Sequence, residues 1–457
     1  MIIIELNEFS AELLRNIADR GSLRHVQSIL SDHHTKTSTT DFYDSGFLEP
    51  WVQWVSVHTG TPSVTHSVKH LGDIPNLNQE QMWERWSKRG IRSVIWGVMN
   101  GSRREAARCE IFIPDPWAFS EDAYPSGYQS LISLPRYLAK NYLDFSKVKA
   151  ALEGAKLVGR LVSGMRFGDF LHGLRLFWRG YSNFGPANVV FIVFFEYLSA
   201  MAFIRVVERL KPDVAVVFLN MVAHVQHHYW KDRSGLACPQ LDYVAAALDE
   251  ALGKIRERCT VAMKDGRVAV LNALSQGCTS EEDPWILYRP KNHEALIDLL
   301  DISAARVEPL MTYDAHVFFA DEAAAARGRQ VLSTVMVGKV PLFHVEADPH
   351  NPCKVFYRVE LHDPTDDDAR FTFNNRSALF REHFVAIVQR TGKHTPAGDL
   401  FTNFDGPGID LSNHEAGRWL EAQVRPSGPS PTGPREDLGA SLREHPSVGA
   451  ATPYAHE

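Results

Sequence analysis

The sequence predicts an α/β protein, a mostly parallel central sheet with helices on both faces. Two observations predict it. Short apolar runs such as Ile2–Leu6, Ile91–Val98 and Val214–Leu219 alternate with stretches of helical character. Polar clusters follow several of these runs directly, and in an open α/β sheet the carboxyl ends of the strands are where ligands bind.

Taken in order, Ile2–Leu6 reads as the first strand and Ser10–Arg20 as a helix. The Thr-rich stretch His34–Tyr43 reads as extended. A helix begins at Glu49–Thr59, with Pro50 suited to its first position. Ile91–Val98 and Ile111–Pro114 are strands, and residues 125–210 read as a helical insertion. Val214–Leu219 and Arg267–Ala273 are the next strands. Val317–Phe319, Pro341–His344, Lys354–Val359 and Arg370–Phe373 mark a β-rich cap at about 317–375. A helix is predicted near Ala378–Arg390. The division that follows is 1–124 and 211–423 for the core, 125–210 for the insertion, and 424–457 for a tail. That tail is rich in Pro, Gly and Ser and is expected to be disordered.

The chain has 457 residues, 44% hydrophobic and 23% charged, enough for one large core or two domains. A net charge of −7 argues against general nucleic-acid binding, because no basic excess exists to neutralise phosphates. Five scattered cysteines form no CxxC pair, so neither a zinc ribbon nor a disulfide framework is indicated. The N-terminus lacks the charged region of a signal peptide, and a cytoplasmic location is the simplest expectation. Val189–Val207 is apolar but carries Glu196 and Arg205, and reads as a buried helix rather than a membrane span. The basic, aromatic stretch Arg160–Arg179 suits either a membrane surface or a cap packed on the domain; packing is the expectation.

Chemistry concentrates in four segments. They are Glu5-Leu-Asn7-Glu8, Glu49-Pro50-Trp51-Val-Gln53-Trp54, Asn220-Met-Val-Ala-His224-Val-Gln-His227-His228, and His394-Thr-Pro396-Ala-Gly398. Imidazoles beside carboxylates suit a metal.

On these residues the chain resembles the alkaline phosphatase superfamily, nearest its nucleotide pyrophosphatase/type I phosphodiesterase branch. Thr59-Gly60-Thr-Pro62-Ser-Val-Thr-His66 is similar to that family's Thr-Gly-x-x-Pro-x-x-His-Gly signature, with the Pro one place early and Ser67 for the last Gly. Asn220…His224 resembles an Asp-x-x-x-His metal pair, and His394-x-Pro-x-Gly398 a late metal-binding His. Glu5 falls where the family has an N-terminal Asp, and Ser275-Gln276-Gly277 where it has Asp-His-Gly. The resemblance implies an alkaline-phosphatase-like fold and a metal-dependent phosphoryl hydrolase or transferase.

The departures are large. Ser275-Gln276 removes the Asp-His pair, Asn220 replaces a carboxylate, and Glu49-Pro50 stands where a hydroxyl nucleophile belongs. What remains implies one divalent ion, Zn, Mn or Fe, held by His224 and His394 with Glu5 and Asn220. Glu49, as ligand or general base, and His228 are the catalytic candidates. Asn7, Gln53, Trp54, His227 and Gln276 are the substrate-binding candidates. The reading is cleavage of a phosphodiester or pyrophosphate in a small phosphorylated substrate by a metal-activated water. Two alternatives keep the fold: a mononuclear iron oxidoreductase, and a non-catalytic binding relative.

Overall fold

Ile2-Ile-Ile-Glu5-Leu6 forms β1, every residue of it buried, at the centre of an eight-stranded sheet. The computed structural model describes residues 1–426 except 22, 142–144, 164, 237, 280, 281, 283, 284, 311 and 312. Beside β1 lie β5 (Val214–Leu219) and β6 (Val268–Leu271), both parallel to it, with Ile2 opposite Ala215 and Val268. Next come β3 (Ser93–Val98) and β4 (Cys109–Pro114) on the β5 side, again parallel. On the β6 side the strand Ala397–Thr402 runs antiparallel to both β6 and β2 (His33–Ser38). The sheet is therefore mostly parallel, as the uniformly apolar strands require.

Alternation along β1 sorts the layers. Ile2, Ile4 and Leu6 face one core, formed with α1 (Ala11–Arg20) and the long helices Asn188–Leu210 and Pro239–Met263. Met1 and Ile3 face the other, where α3 (Pro50–Thr59) packs through Trp54 and Val57. Ser10 caps α1, its hydroxyl accepting from Leu13 N at 3.2 Å. The C-terminal helix Asn413–Gln423 lies so close to α3 that a Cβ on Gly417 would overlap the Val57 carbonyl.

The described residues of 125–210 form four helices of eleven residues or more: Ser130–Lys140, Lys147–Val162, Phe167–Phe184 and Asn188–Leu210. By length and composition the last could cross a membrane. Here Tyr197, Leu198, Met201, Phe203 and Ile204 are fully buried against the core. Among the described residues, two four-stranded sheets, the paired strands Trp285–Pro290 and Phe384–Arg390, and the helices between them build a separate core around Tyr357, Phe371 and Leu332. This cap meets α3's neighbourhood through His70 stacked on Phe356 at 3.7 Å and Lys69 paired with Glu346 at 2.5 Å.

The predicted helix near Ala378–Arg390 is not formed. Arg376–Leu379 is a strand, Phe380–His383 a single turn, and Phe384–Arg390 a strand paired with Trp285–Pro290. The β-branched and aromatic residues Phe384, Val385 and Ile387 satisfy a ladder better than a helix. At the other end, Val424 is fully buried, while residues 427–457 of the expected tail lie outside the described residues.

Gly417→Ala should overpack the helix–helix contact that seats α3. A loss of about 1–3 kcal/mol in urea unfolding is expected, and an unchanged midpoint would refute the close approach.

Candidate metal centre

The strand tips converge on Glu8. β1 ends at Leu6, paired with Leu219, and Asn7-Glu8 turn out beyond the sheet. Glu8 sits at φ 52°, a left-handed conformation that a side chain rarely adopts. Its carbonyl accepts from Gln226 Nε2 at 2.9 Å, which holds the turn, and its carboxylate is buried. Strain of this kind persists where surrounding contacts over-determine it.

The second tip is that of β5. Helix Met221–Tyr229 starts directly after Leu219, and its N-cap Asn220 makes no side-chain cap. Glu196 substitutes: one carboxylate oxygen accepts from Asn220 N and Met221 N, both at 2.8 Å. Burial pushes Glu196 up to about 7, against the pull of those two N–H groups. The Asn220 carboxamide oxygen is thereby free to accept from Asn7 Nδ2 at 2.8 Å.

The third is the strand Gly392–Thr395, which pairs with Ser275–Cys278 so that His394 lies opposite Gln276. Gln276 Nε2 donates to Glu8 Oε2 at 2.5 Å.

Glu8, His227 and His394 meet, one ligand atom from each lying within 4.8 Å of the others. Glu8 Oε2 is 2.9 Å from His227 Nε2 and 3.0 Å from His394 Nε2. On their far edges both rings meet carbonyls: His227 Nδ1 lies 3.2 Å from Gly392 O, and His394 Nδ1 3.1 Å from Leu48 O. A carbonyl can only accept, so each Nδ1 carries a proton. Burial lowers His227, with Glu8 opposing, and favours the neutral ring. Neutral His227 then turns a lone pair toward a carboxylate oxygen, and two acceptors repel. His394 Nε2 is likewise buried with no in-line hydrogen bond despite the nearness of Glu8. A cation among the three atoms removes both conflicts. Two imidazoles fixed by second-sphere carbonyls plus one carboxylate are a donor set that suits Zn²⁺, Mn²⁺ or Fe²⁺ with a position left open.

Electrostatics agree. Burial opposes charge on Glu8, but the neighbouring His394 holds its carboxyl well below the usual range. Burial also opposes charge on His394, but Glu8 and Glu49 outweigh it and push the ring up to about 10. Without a metal, a proton on His394 gives the Glu8 carboxylate a positive partner.

The other predicted residues fall in distinct places. Glu5, expected as a ligand, lies inside β1 on the α3 face, where it pairs with His58 Nε2 at 2.8 Å; Glu8 supplies the carboxylate instead. The strand's two-residue period explains it, since Glu5 is still in register with Phe218. Glu49 is at the start of α3, its Oε2 3.3 Å from His394 Nδ1, on the opposite edge of the ring from Glu8. His224 and His228 are one turn apart on the helix, ring centroids 4.8 Å apart, and outside the three-atom cluster. Burial drops His224 to about 4 and His228 to about 2, so both are neutral. His228 Nδ1 is buried without a partner. Trp54 Nε1 donates to Asn7 Oδ1 at 2.7 Å, bracing the turn from beneath. Gln53 is fully buried, bonded to Asp41, Phe47 O and Asn413.

A cleft of about 460 Å³ adjoins the cluster through Gly392, lined by Tyr43, Thr279, Glu282, Trp285, Arg390 and Lys393. The Arg390 guanidinium lies 4.8 Å from the Trp285 ring. Among the described residues it has no carboxylate partner, and its Nε is buried and unbonded. Sequence reasoning did not single out Arg390; its position two residues before the Gly392–His394 strand was the available signal.

No protein-family model matches the chain, and no curated protein matches it. Among solved structures it is similar to phosphonoacetate hydrolase from Sinorhizobium meliloti 1021 in complex with phosphonoformate, at 14% identity, covering 93% of this chain and 95% of that one with TM-score 0.45. It is also similar to human ectonucleotide pyrophosphatase/phosphodiesterase 5, at 10% identity, covering 93% and 94% with TM-score 0.43.

Two outcomes test the geometry. Glu8→Gly relieves the backbone while Glu8→Ala keeps the strain, so the glycine variant should be the more stable by about 1 kcal/mol in denaturant melts. In metal-free protein the raised His394 contributes stability that is full below the unfolded value of about 6.5 and lost as pH climbs toward 10. His394→Gln should abolish that loss; a pH profile shared by both proteins would contradict the assignment.

Proposed function

We propose that this chain is a divergent member of the alkaline phosphatase superfamily. It hydrolyses or transfers a phosphoryl-type ester, a phosphodiester or pyrophosphate in a small phosphorylated substrate. The convergence of Glu8, His227 and His394 beside a cleft lined by Arg390 carries the reading. These three residues hold one divalent ion, Zn, Mn or Fe. When bound, the ion polarises a phosphoryl oxygen and makes water more acidic.

The chain's own residues do the rest. Glu8 and Gln276 keep the donor atoms in place. Glu49 and Leu48 O fix the His394 ring from behind, which makes Glu49 a positioning residue for the ligand. Arg390 attracts the substrate's negative charge, as a planar fork suited to phosphate. With Glu49-Pro50 in place of a hydroxyl nucleophile, water attacks phosphorus directly and no phospho-enzyme forms.

The same two-histidine, one-carboxylate set is that of mononuclear iron oxygenases, and this favours an iron oxidoreductase as the second reading. Metal analysis with turnover of bis-p-nitrophenyl phosphate separates the two. Zinc or manganese with turnover supports the hydrolase. Iron without turnover supports the alternative.

For the hydrolase, Glu8→Gln should lose at least ~10²-fold in kcat/KM, and Glu49→Gln about tenfold. Arg390→Ala should raise KM about tenfold with kcat little changed. Equal losses from Glu8→Gln and Arg390→Ala in kcat alone would reject these roles.

A further inference from the structure

We propose that the helical segment 145–191 docks this protein on an anionic lipid surface. Docking is independent of the chemistry at Glu8. Helix Phe167–Phe184 already satisfies the core with one face: Gly173 lies against Leu198 and Tyr197, Leu176 is buried, and Gly180 is pressed on Tyr243. Its other face is also apolar. Phe167, Leu171, Leu174, Trp178 and Tyr181 repeat at spacings of four and three, a single stripe along the helix. Phe167 is 73% exposed and Trp178 60%.

The stripe continues into a surface cluster of rings. Trp178 and Tyr181 are 6.0 Å apart, each about as far from Phe177, and Phe177 is 5.7 Å from exposed Phe191. The fold does not need these rings outside, and water disfavours them there.

Charge identifies the occupant. Residues 145–191 hold seven Lys and Arg against two Asp and Glu, in a chain whose net charge is −7. Arg175 and Arg179 are exposed on the same helix as the stripe. Helix Lys147–Val162 repeats the pattern, burying Leu157 and Leu161 while exposing Val148 and Leu152 among Lys147, Lys149 and Lys156. Aromatic and aliphatic side chains flanked by cations match the boundary of a bilayer with acidic headgroups. A second copy of this face would bring like charges together.

The location adds a consequence. Glu196 is bonded to the backbone at the tip of β5, and Phe191 is five residues earlier on the same helix. The ring cluster therefore stands near the end of the sheet that carries Glu8, His227 and His394.

Co-sedimentation of the full chain with vesicles of phosphatidylcholine, with and without about 30 mol % phosphatidylserine, tests this. Binding to the acidic vesicles alone, weakened by salt, is expected. Arg175→Glu with Arg179→Glu should lower partitioning at least fivefold for each cation removed, and Phe167→Ser with Trp178→Ser at least tenfold in all. Both variants should melt with the parent. Binding to neither vesicle, or equally to both, overturns the proposal. So does a dimer, seen by light scattering without lipid, that the same substitutions dissolve. Should a variant unfold, the comparison of the two vesicles with the unaltered chain decides alone.

Discussion

One buried carboxylate organises the site. Glu8 lies between two imidazoles, accepts from Asn7 and Gln276, and is held in a left-handed turn by Gln226. Taking a charge out of water is expensive unless it is paired and hydrogen-bonded. Three separate strand tips supply that pairing, so the position of each tip is set by the same group. The turn after β1, the start of helix Met221–Tyr229 and the strand Gly392–Thr395 cannot shift independently without exposing an uncompensated acceptor.

The supporting contacts show how far this demand reaches. Trp54 spans from α3 to brace Asn7, and Asn7 joins β1 to β5 through Asn220. Because Asn220 spends its side chain on that link, the helix behind it needs another cap, and Glu196 from the neighbouring layer provides one. The two histidine rings are oriented by backbone carbonyls, which leaves Nε2 on both as the outward donor. Orientation from outside the ligand set is what makes a soft donor cluster selective for a cation rather than a collection of polar groups.

Much of the fold was legible in the chain. Apolar strands, the Ser10 and Pro50 helix starts and the parallel arrangement follow from periodicity and capping. The segment 378–390 was misread because its residues admit either period, and only the pairing of Phe384–Arg390 with Trp285–Pro290 selects the strand. At the site, His394 and the histidine-rich helix stood out as ligand sources. Glu8 was passed over for Glu5, since deciding which acidic residue clears the end of β1 needs the register with β5, a long-range fact. The choice of His227 over His224 has the same origin: both lie past the strand, and the rotation of their helix about its axis decides which one faces Glu8.

The sequence by itself determined the fold class and the polar clusters that follow the apolar strands. Those are properties of residue type and local spacing. Which carboxylate and which imidazoles share a point, that Glu49 stands behind His394, and that Arg390 opens on a cleft were decided by tertiary structure alone. The reason is geometric. Donor atoms must come within a few ångströms, and the chain separates Glu8 from either histidine by more than two hundred residues that only packing can fold away.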